Sequence, residues 1–408
     1  MPAAESGKHV QASLVGRRFY FVGIGGSGLS AYANIARSLG AEVAGWDLRD
    51  TVFMRALEGV AIDLGNEPTP PPGWEVVLST AHLDRADGMP RALFLAELVR
   101  ATPSIVVGGA HGKTTTAAMI AFVLQETGRD PSFAIGGIVP QLGGNGRAGS
   151  GYLVVEGDES DRSIGELRPE IAVVTNIELD HFGCYASEAE LRTFFERWLA
   201  GVPHVVRSWE LEPAELELTL PGAHNRQNAA AALAALELAG VARAEAEPVL
   251  QRFTGADRRF QLVGAVDGIT VIDDYGHNPT ELRVTLETAR ERTSGRLVAV
   301  YQPHVNERTR HLAAELAEAL GAADIAVVTE VTGARDTPRD GVSGKWVLDR
   351  LPGHVRGVWA PTLDAATPLT LSLVRPGDVV VTLGVGEPWR VARAIVDGLS
   401  TSVCGSRG

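Results

Sequence analysis

The chain has 408 residues, enough for two to four domains at roughly 100–200 residues each. It is 45% hydrophobic and 21% charged, an ordinary globular balance that permits a sizeable core. Its net charge of -13 comes with no Lys/Arg-rich run, which excludes the basic footprint of a nucleic-acid partner.

The N-terminal stretch MPAAESGKHVQASLVGRR carries no apolar signal region. No apolar run approaches the roughly 18 residues of a membrane span. Cys184 and Cys404, the latter in a polar tail, have neither CxxC nor metal spacing, the usage of a reducing compartment. A cytoplasmic protein with no membrane partner is expected. The only lysines are Lys8, Lys113 and Lys345, and Lys113 stands out by its placement in a glycine loop.

Phe19–Ile24 reads as a strand, Ser30–Leu39 as a helix, Glu42–Trp46 as a second strand and Val76–Ser79 as another, with a proline-rich loop at 68–72. Ser104–Val107 is a strand followed by a glycine loop and the helical stretch Ala117–Glu126. Tyr152–Val155 and Ile171–Thr175 are further strands, and a helix ends near Thr254-Gly255. Beyond it, Ile269–Ile272, Leu297–Tyr301, Ile325–Thr329 and Val379–Leu383 read as strands separated by helices. Strand, glycine turn and helix recur at irregular spacing, the rhythm of βαβ units rather than of a repeat protein. The predicted class is α/β in three domains: 1–102, 103–255 with a parallel sheet, and 256–408.

Gly109-Ala110-His111-Gly112-Lys113-Thr114-Thr115 lies between a strand and a helix, the context a phosphate loop requires. Backbone N–H groups of such a loop hold phosphate oxygens. Lys113 is the candidate for the β/γ-phosphates of ATP, and the Thr114 hydroxyl for Mg²⁺. The pattern departs from GxxxxGK[ST] because Val107 stands where the first glycine belongs; a plain glycine turn is the competing reading. Downstream, Glu156-Gly157-Asp158-Glu159-Ser160-Asp161 ends the second strand of this region. Four acids in six residues make a hard-cation site or else a solvated acidic turn. Asn176-Ile177-Glu178-Leu179-Asp180-His181 ends the third strand, on the edge where open α/β sheets bind ligands. His181 is the candidate for a second metal ligand, with capping as its alternative.

Gly23-Ile24-Gly25-Gly26-Ser27-Gly28 matches GxGxxG directly after a strand, and Asp47 follows the next strand. That is a dinucleotide fingerprint, so an oxidoreductase is the rival reading. A dehydrogenase needs no second, ATP-type loop, whereas a nucleotide-diphosphate substrate fits both loops. In the last third, Asn278 and Pro279 suit the cap and first turn of a helix. Gln302-Pro303-His304 follows the next strand, with Arg308 and Arg310 beyond. These polar strand ends serve either a site or ordinary capping.

Eight motifs in order resemble the Mur ligase family: GIGGSGLS, GGAHGKTTT, EGDESD, TNIELDH, PGAHNRQNAAAA, RRF, DDYGHNPTE and QPH. The DESD wording and the histidine of AHGKT resemble the members that add L-alanine. The resemblance implies a Rossmann-like N-terminal domain, a central P-loop ATPase-like domain and a Rossmann-like C-terminal domain. It implies an ATP- and Mg²⁺-dependent enzyme, monomeric or weakly dimeric, that joins L-alanine to the lactyl carboxylate of UDP-N-acetylmuramate through an acyl phosphate. The UDP-sugar would lie over Gly25, Gly26, Ser27, Gly28 and Ser30, with Asp47 near uridine. ATP would be held by residues 109–115, with Asn225 and Asn228 near adenine. Thr114, Glu156 and His181 would hold metal, and His277, His304 and Arg308 would face the amino acid. Lys113, His181, His277 and Arg308 are the implied catalytic set. Four departures stand out: Ala110 where the family has Thr, Val305 where it has Arg, Asn278 where it has His, and Gly384-Val385-Gly386-Glu387 for its GAGN-like turn. The stretch from His181 to Pro221 is short, which predicts fewer central strands. A non-catalytic or altered-specificity relative that binds both nucleotides is the alternative these changes raise.

Overall fold

The computed structural model describes residues 14–333 and 341–405. The described chain forms two compact units. One comprises the chain up to Leu179 with Cys184–Thr219 and Ala223–Ala256; the other comprises Asp180–Gly183, Leu220–Gly222 and the chain from Asp257 onward. Lys8 lies outside the described residues.

The first unit holds two sheets. β1 (Arg18–Val22), α1 (Ser27–Ser38), β2 (Glu42–Asp47), β3 (Ala61–Leu64), β4 (Glu75–Leu78), β5 (Met89–Pro90) and α2 (Arg91–Ala101) build the first. Its order is β3-β2-β1-β4-β5 and every pairing is parallel. β1 is buried along Phe19–Val22, as a strand covered on both faces must be. The order reverses at β1, so the glycine loop that follows it sits at the topological switch point.

The second sheet follows with β6 (Ser104–Gly108), α3 (Lys113–Glu126), β7 (Ser132–Val139), β8 (Gly144–Arg147), β9 (Leu153–Glu156) and β10 (Ile171–Val174). α4 (Glu188–Leu199), β11 (His204–Arg207), α5 (Ala223–Leu238) and α6 (Arg243–Leu250) complete the region. The strand order is β11-β10-β6-β9-β7-β8, parallel except for the β7–β8 pair. β6 lies between β9 and β10, so its loop is also at a switch point. α3 is buried from Thr114 to Leu124, and this explains why its sequence shows no amphipathic stripe. The alanines at 229–232 of α5 are buried, and α5 packs on α3.

The second unit carries β12 (Gln261–Val266), β13 (Ile269–Asp274), α7 (Pro279–Arg290), β14 (Leu297–Tyr301), α8 (Asn306–Ala319), β15 (Ile325–Thr329), α9 (Lys345–Leu348), β16 (Arg356–Ala360), α10 (Leu363–Leu373), β17 (Val379–Leu383) and α11 (Pro388–Gly405). Its sheet runs β12-β13-β17-β14-β15-β16, with only β12 antiparallel to its neighbour.

Several sequence expectations shift. α1 and α3 begin three and four residues earlier than predicted, because the glycine loops feed directly into the first helical turns. α6 ends at Leu250, short of Thr254-Gly255. α11 continues to Gly405, through the stretch read as a polar tail. Residues 208–222 contain a single 3-10 turn and no strand.

Candidate active site

The loop at 109–115 owes its shape to two glycines and to the end of β10. Gly112 caps α3 in the left-handed region at φ 79°. A Cβ there would stand 2.6 Å from Asn228 Oδ1. Gly109 has φ 129°, and its Cβ would stand 2.2 Å from Thr175 Oγ1 and 2.8 Å from the Asn176 carbonyl. Neither position tolerates a side chain. The turn thus starts at Gly109, two residues after buried Val107, which explains how the loop dispenses with the earlier glycine.

Asn176 fastens the loop from outside. Its Oδ1 accepts the N–H groups of Ala110 at 3.0 Å and His111 at 3.1 Å. Its Nδ2 donates to the His111 carbonyl at 2.8 Å and faces His111 Nδ1 at 2.9 Å. Thr175 Oγ1 donates to the same carbonyl at 2.6 Å, and His111 Nε2 meets Glu178 at 2.9 Å. Thr115 is buried in the first turn of α3. Asn225 and Asn228 are both buried and joined at 3.2 Å, with Asn228 against the loop at Gly112.

The acids at the end of β9 and in the turn that follows are all partnered. Thr114 Oγ1 donates to Glu156 Oε2 at 3.1 Å, and Gly136 N–H donates to Glu156 Oε1 at 2.5 Å. Both oxygens of buried Glu159 accept from Lys113 Nζ, at 3.0 and 3.1 Å, while Nζ also donates to the Gly109 carbonyl. Burial would lower the Lys113 ammonium, but Glu159 and Asp158 outweigh it and hold it above its ordinary value. Asp158 pairs with Arg91, and Asp161 lies 3.6 Å from the same guanidinium. Among the described residues no three His, Cys, Asp or Glu side chains form a metal-ligating group.

At the first glycine loop, Gly25 N–H donates to Asp47 Oδ2 at 2.9 Å and Thr51 Oγ1 donates to the Gly25 carbonyl at 2.7 Å. Leu48 N–H takes the other Asp47 oxygen at 2.8 Å. Asp47 therefore fastens the loop itself. Gly26 precedes α1; Ser27 and Gly28 open it, and Ser30 Oγ donates to the Ser27 carbonyl. Asn145, 2% exposed on β8, donates to the Ser27 carbonyl at 2.7 Å and to Ser30 Oγ at 3.2 Å. Gly146 lets this strand lie directly on α1, since its Cβ would be 2.6 Å from Ala31 Cα.

The second unit gathers His277, His304 and Arg308. Arg308 Nη2 donates to Asp180 Oδ2 at 2.9 Å and its Nε to Oδ1, while Nη1 donates to the His304 carbonyl at 3.0 Å. Burial would raise the Asp180 carboxyl, but Arg308 outweighs it and holds it at about 2. The rings of His277 and His304 lie 6.2 Å apart. Burial, with Arg308 nearby, lowers both, His304 to about 3, so both are neutral at pH 7. His181 lies in the Asp180–Gly183 segment, assigned to this unit, where the Phe182 ring stacks on His311 at 4.5 Å. Asn278 caps α7 by accepting Glu281 N–H at 2.9 Å. Arg258 of the RRF motif pairs with Asp273 and donates to the carbonyls of Gly384, Val385 and Gly386, so it shapes the GVGE turn. Val305 takes φ 68°, a strained setting for a β-branched residue.

Asn176, Glu159 and Asp180 all stand inside motifs visible in the sequence, yet their roles depend on partners far away in the chain: the 110–111 loop, Lys113 of α3 and Arg308 of α8. Arg91 and Asn145 carry no motif signal.

Two family models match: the Mur ligase middle domain over residues 107–203 and the Mur ligase, glutamate ligase domain over 258–386. A UDP-N-acetylmuramate–L-alanine ligase of Pelotomaculum thermopropionicum is 34% identical, over 93% of this chain and 97% of that one. One of Mycobacterium marinum is 34% identical over 94% and 95%. Among solved structures, the UDP-N-acetylmuramate-alanine ligase of Thermotoga maritima superposes with a TM-score of 0.77 at 28% identity, over 94% of this chain and 99% of that one. A murein peptide ligase of Psychrobacter arcticus shares the fold at a TM-score of 0.70. With near-complete coverage on both sides, the chain belongs to the Mur ligase family.

Proposed function

We infer that this enzyme joins L-alanine to the lactyl carboxylate of UDP-N-acetylmuramate with cleavage of ATP, a step of peptidoglycan precursor synthesis. The observation that carries the reading is the fastened loop at 109–115, with a lysine, a hydroxyl and a carboxylate converging at its helix N-terminus. A carboxylate acylates poorly. Transfer of the γ-phosphoryl group gives an acyl phosphate, which a neutral amine attacks with loss of phosphate. Phosphoryl transfer needs positioning and charge neutralisation more than covalent help. Loop N–H groups and Lys113 supply both.

Labour divides across three domains, 1–102 for the UDP-sugar, 103–255 for ATP and 256–408 for the amino acid. Gly25, Gly26, Ser27, Gly28 and Ser30 cradle the diphosphate. His277, His304 and Arg308 face the amino acid. Mg²⁺ fits the hydroxyl of Thr114 and the carboxylate of Glu156, hard oxygen ligands 3.1 Å apart. This ion takes one or two carboxylates and completes its shell with waters and phosphate oxygens, so a preformed set of three acids is not required. When bound, it neutralises phosphate charge. His181 serves a second ion. Among the described residues no helix is long and apolar enough to cross a membrane, in keeping with reaction in the cytoplasm.

The test is phosphate release from ATP in the presence of each substrate alone and both together. Release that requires both UDP-N-acetylmuramate and L-alanine supports the reading. Binding of both nucleotides without any peptide product sinks it in favour of a non-catalytic relative.

A further inference from the structure

Arg91 stands between the first glycine loop and the acidic turn after β9. It is the first residue of α2, after Pro90, and its side chain is 23% exposed. Its Nε donates to Thr80 Oγ1 at 2.9 Å. Its Nη2 donates to Asp158 Oδ2 and lies 3.6 Å from Asp161 Oδ2. Its Nη1 faces Gly28, the third glycine of the first loop: a Cβ there would be 3.3 Å from Nη1 and 4.0 Å from the Tyr32 ring. Nη1 makes no hydrogen bond among the described residues. Asp158 is held in turn by Ser160, through its N–H at 2.9 Å and its hydroxyl at 2.6 Å. The next residue is Glu159, the counter-ion of Lys113.

We propose that Arg91 is a positioning residue that couples UDP-sugar binding to ATP binding: Nη1 meets the diphosphate over Gly28 while Nη2 fixes the acidic turn behind Lys113. This rests on the ligase reading above. A guanidinium is a planar fork whose edges serve two anions at once. A diphosphate at Nη1 therefore need not displace Asp158. It immobilises the guanidinium, and with it the turn that presents Glu156 to Thr114 and Glu159 to Lys113. The ordering cost falls on whichever nucleotide binds first, so the second binds more tightly. The effect is reciprocal by linkage. Arg91 also places a cation between two highly anionic ligands.

The experiment is calorimetric titration of a non-hydrolysable ATP analogue with and without saturating UDP-N-acetylmuramate, on wild type, Arg91→Lys, Arg91→Gln and Asp158→Asn. Wild-type Kd for the analogue should fall at least about fivefold when the sugar nucleotide is present, within the usual range of coupling. Arg91→Gln should bind each ligand alone yet show less than about twofold coupling, and Arg91→Lys should restore part of it. Asp158→Asn should lose the coupling while keeping wild-type affinity for the sugar nucleotide, which a merely structural role for Arg91 does not predict. If Arg91→Gln fails to fold, Arg91→Lys and Asp158→Asn decide. Full coupling in Arg91→Gln or Asp158→Asn, or none in a wild type that binds both ligands, overturns the proposal. A wild type that does not bind UDP-N-acetylmuramate overturns the ligase reading itself.

Discussion

Replacing Asp180 by Asn keeps the shape of the side chain and removes the partner of a buried guanidinium. Asp180 and Arg308 are 7% and 4% exposed. Arg308 grips the carboxylate through two N–H groups. Holding the carboxyl at about 2 instead of 3.8 corresponds to about 2.5 kcal/mol of differential stabilisation. Loss of one partner of a buried pair costs about 3–5 kcal/mol, since the remaining charge is stranded, so Asp180→Asn should destabilise the second unit by about 2–5 kcal/mol at pH 7. The sign with pH follows from the depressed carboxyl. In the unfolded chain it titrates near 4, so the stability it confers is full above about pH 4 and drains away as pH falls towards 2. Wild type and variant should therefore differ by a constant amount from pH 5 to 7 and converge below 4. Urea unfolding followed by hydrogen-exchange mass spectrometry of β14 and β17 peptides reads the second unit separately. Equal stability at pH 7, or a gap that persists unchanged to the acid limit, would refute the reasoning.

Asn176→Ala removes the acceptor of two loop N–H groups; at about 0.5–1.5 kcal/mol per bond, ATP affinity should drop roughly 5- to 150-fold with the far-ultraviolet spectrum unchanged, and wild-type affinity would show that the loop shapes itself. Gly112→Ala forces a side chain into the left-handed region and against Asn228. Strain of about 1–2 kcal/mol should appear as a lowered Tm and weakened nucleotide binding, and a wild-type Tm counts against the described turn. Lys113→Ala should abolish turnover while UDP-sugar binding, measured by calorimetry, survives; equal loss of both contradicts the division between domains. Asp274 behaves oppositely to Asp180. Burial raises its carboxyl to about 6, so the folded unit keeps a proton that the unfolded chain releases near pH 4. Its contribution is full below about 4 and falls by about 3 kcal/mol as pH rises through 6. The stability of wild type relative to Asp274→Asn should decline over that window, and a flat difference from pH 4 to 7 refutes the shift.

The strands of the parallel sheets were legible because a strand buried on both faces is a continuous apolar run, as in Ser104–Gly108 and Val379–Leu383. β7 and the edge strands β3, β5, β8, β11, β12 and β16 were not. β8 is Gly-Asn-Gly-Arg and carries no periodicity at all; it exists because its neighbour β7 and helix α1 accept its backbone. The glycine loops announced themselves, since φ above zero demands glycine. What holds those loops in shape did not. Asn176 is 65 residues from His111, and the order of the second sheet brings the two to one edge; Arg91 is 67 from Asp158, and only the packing of the first unit's two sheets brings them together.

The acidic turn after β9 shows how such a run is better understood by partner than by count. Read as a string, four acids in six residues point to a cation site. In the fold they serve different cations and donors: Glu156 a hydroxyl, Asp158 a guanidinium, Glu159 an ammonium, and Asp161 the N–H of Ser163 at 3.0 Å. The Lys113–Glu159 pair has a physical rationale. A largely buried ammonium with no counter-ion costs several kcal/mol, so a phosphate loop that keeps its lysine inside must pair it before nucleotide arrives. Glu159 and the Gly109 carbonyl do this. Under the proposed function, nucleotide binding adds phosphate oxygens beside those already on Nζ instead of stripping water from a bare charge. The ammonium is never left alone.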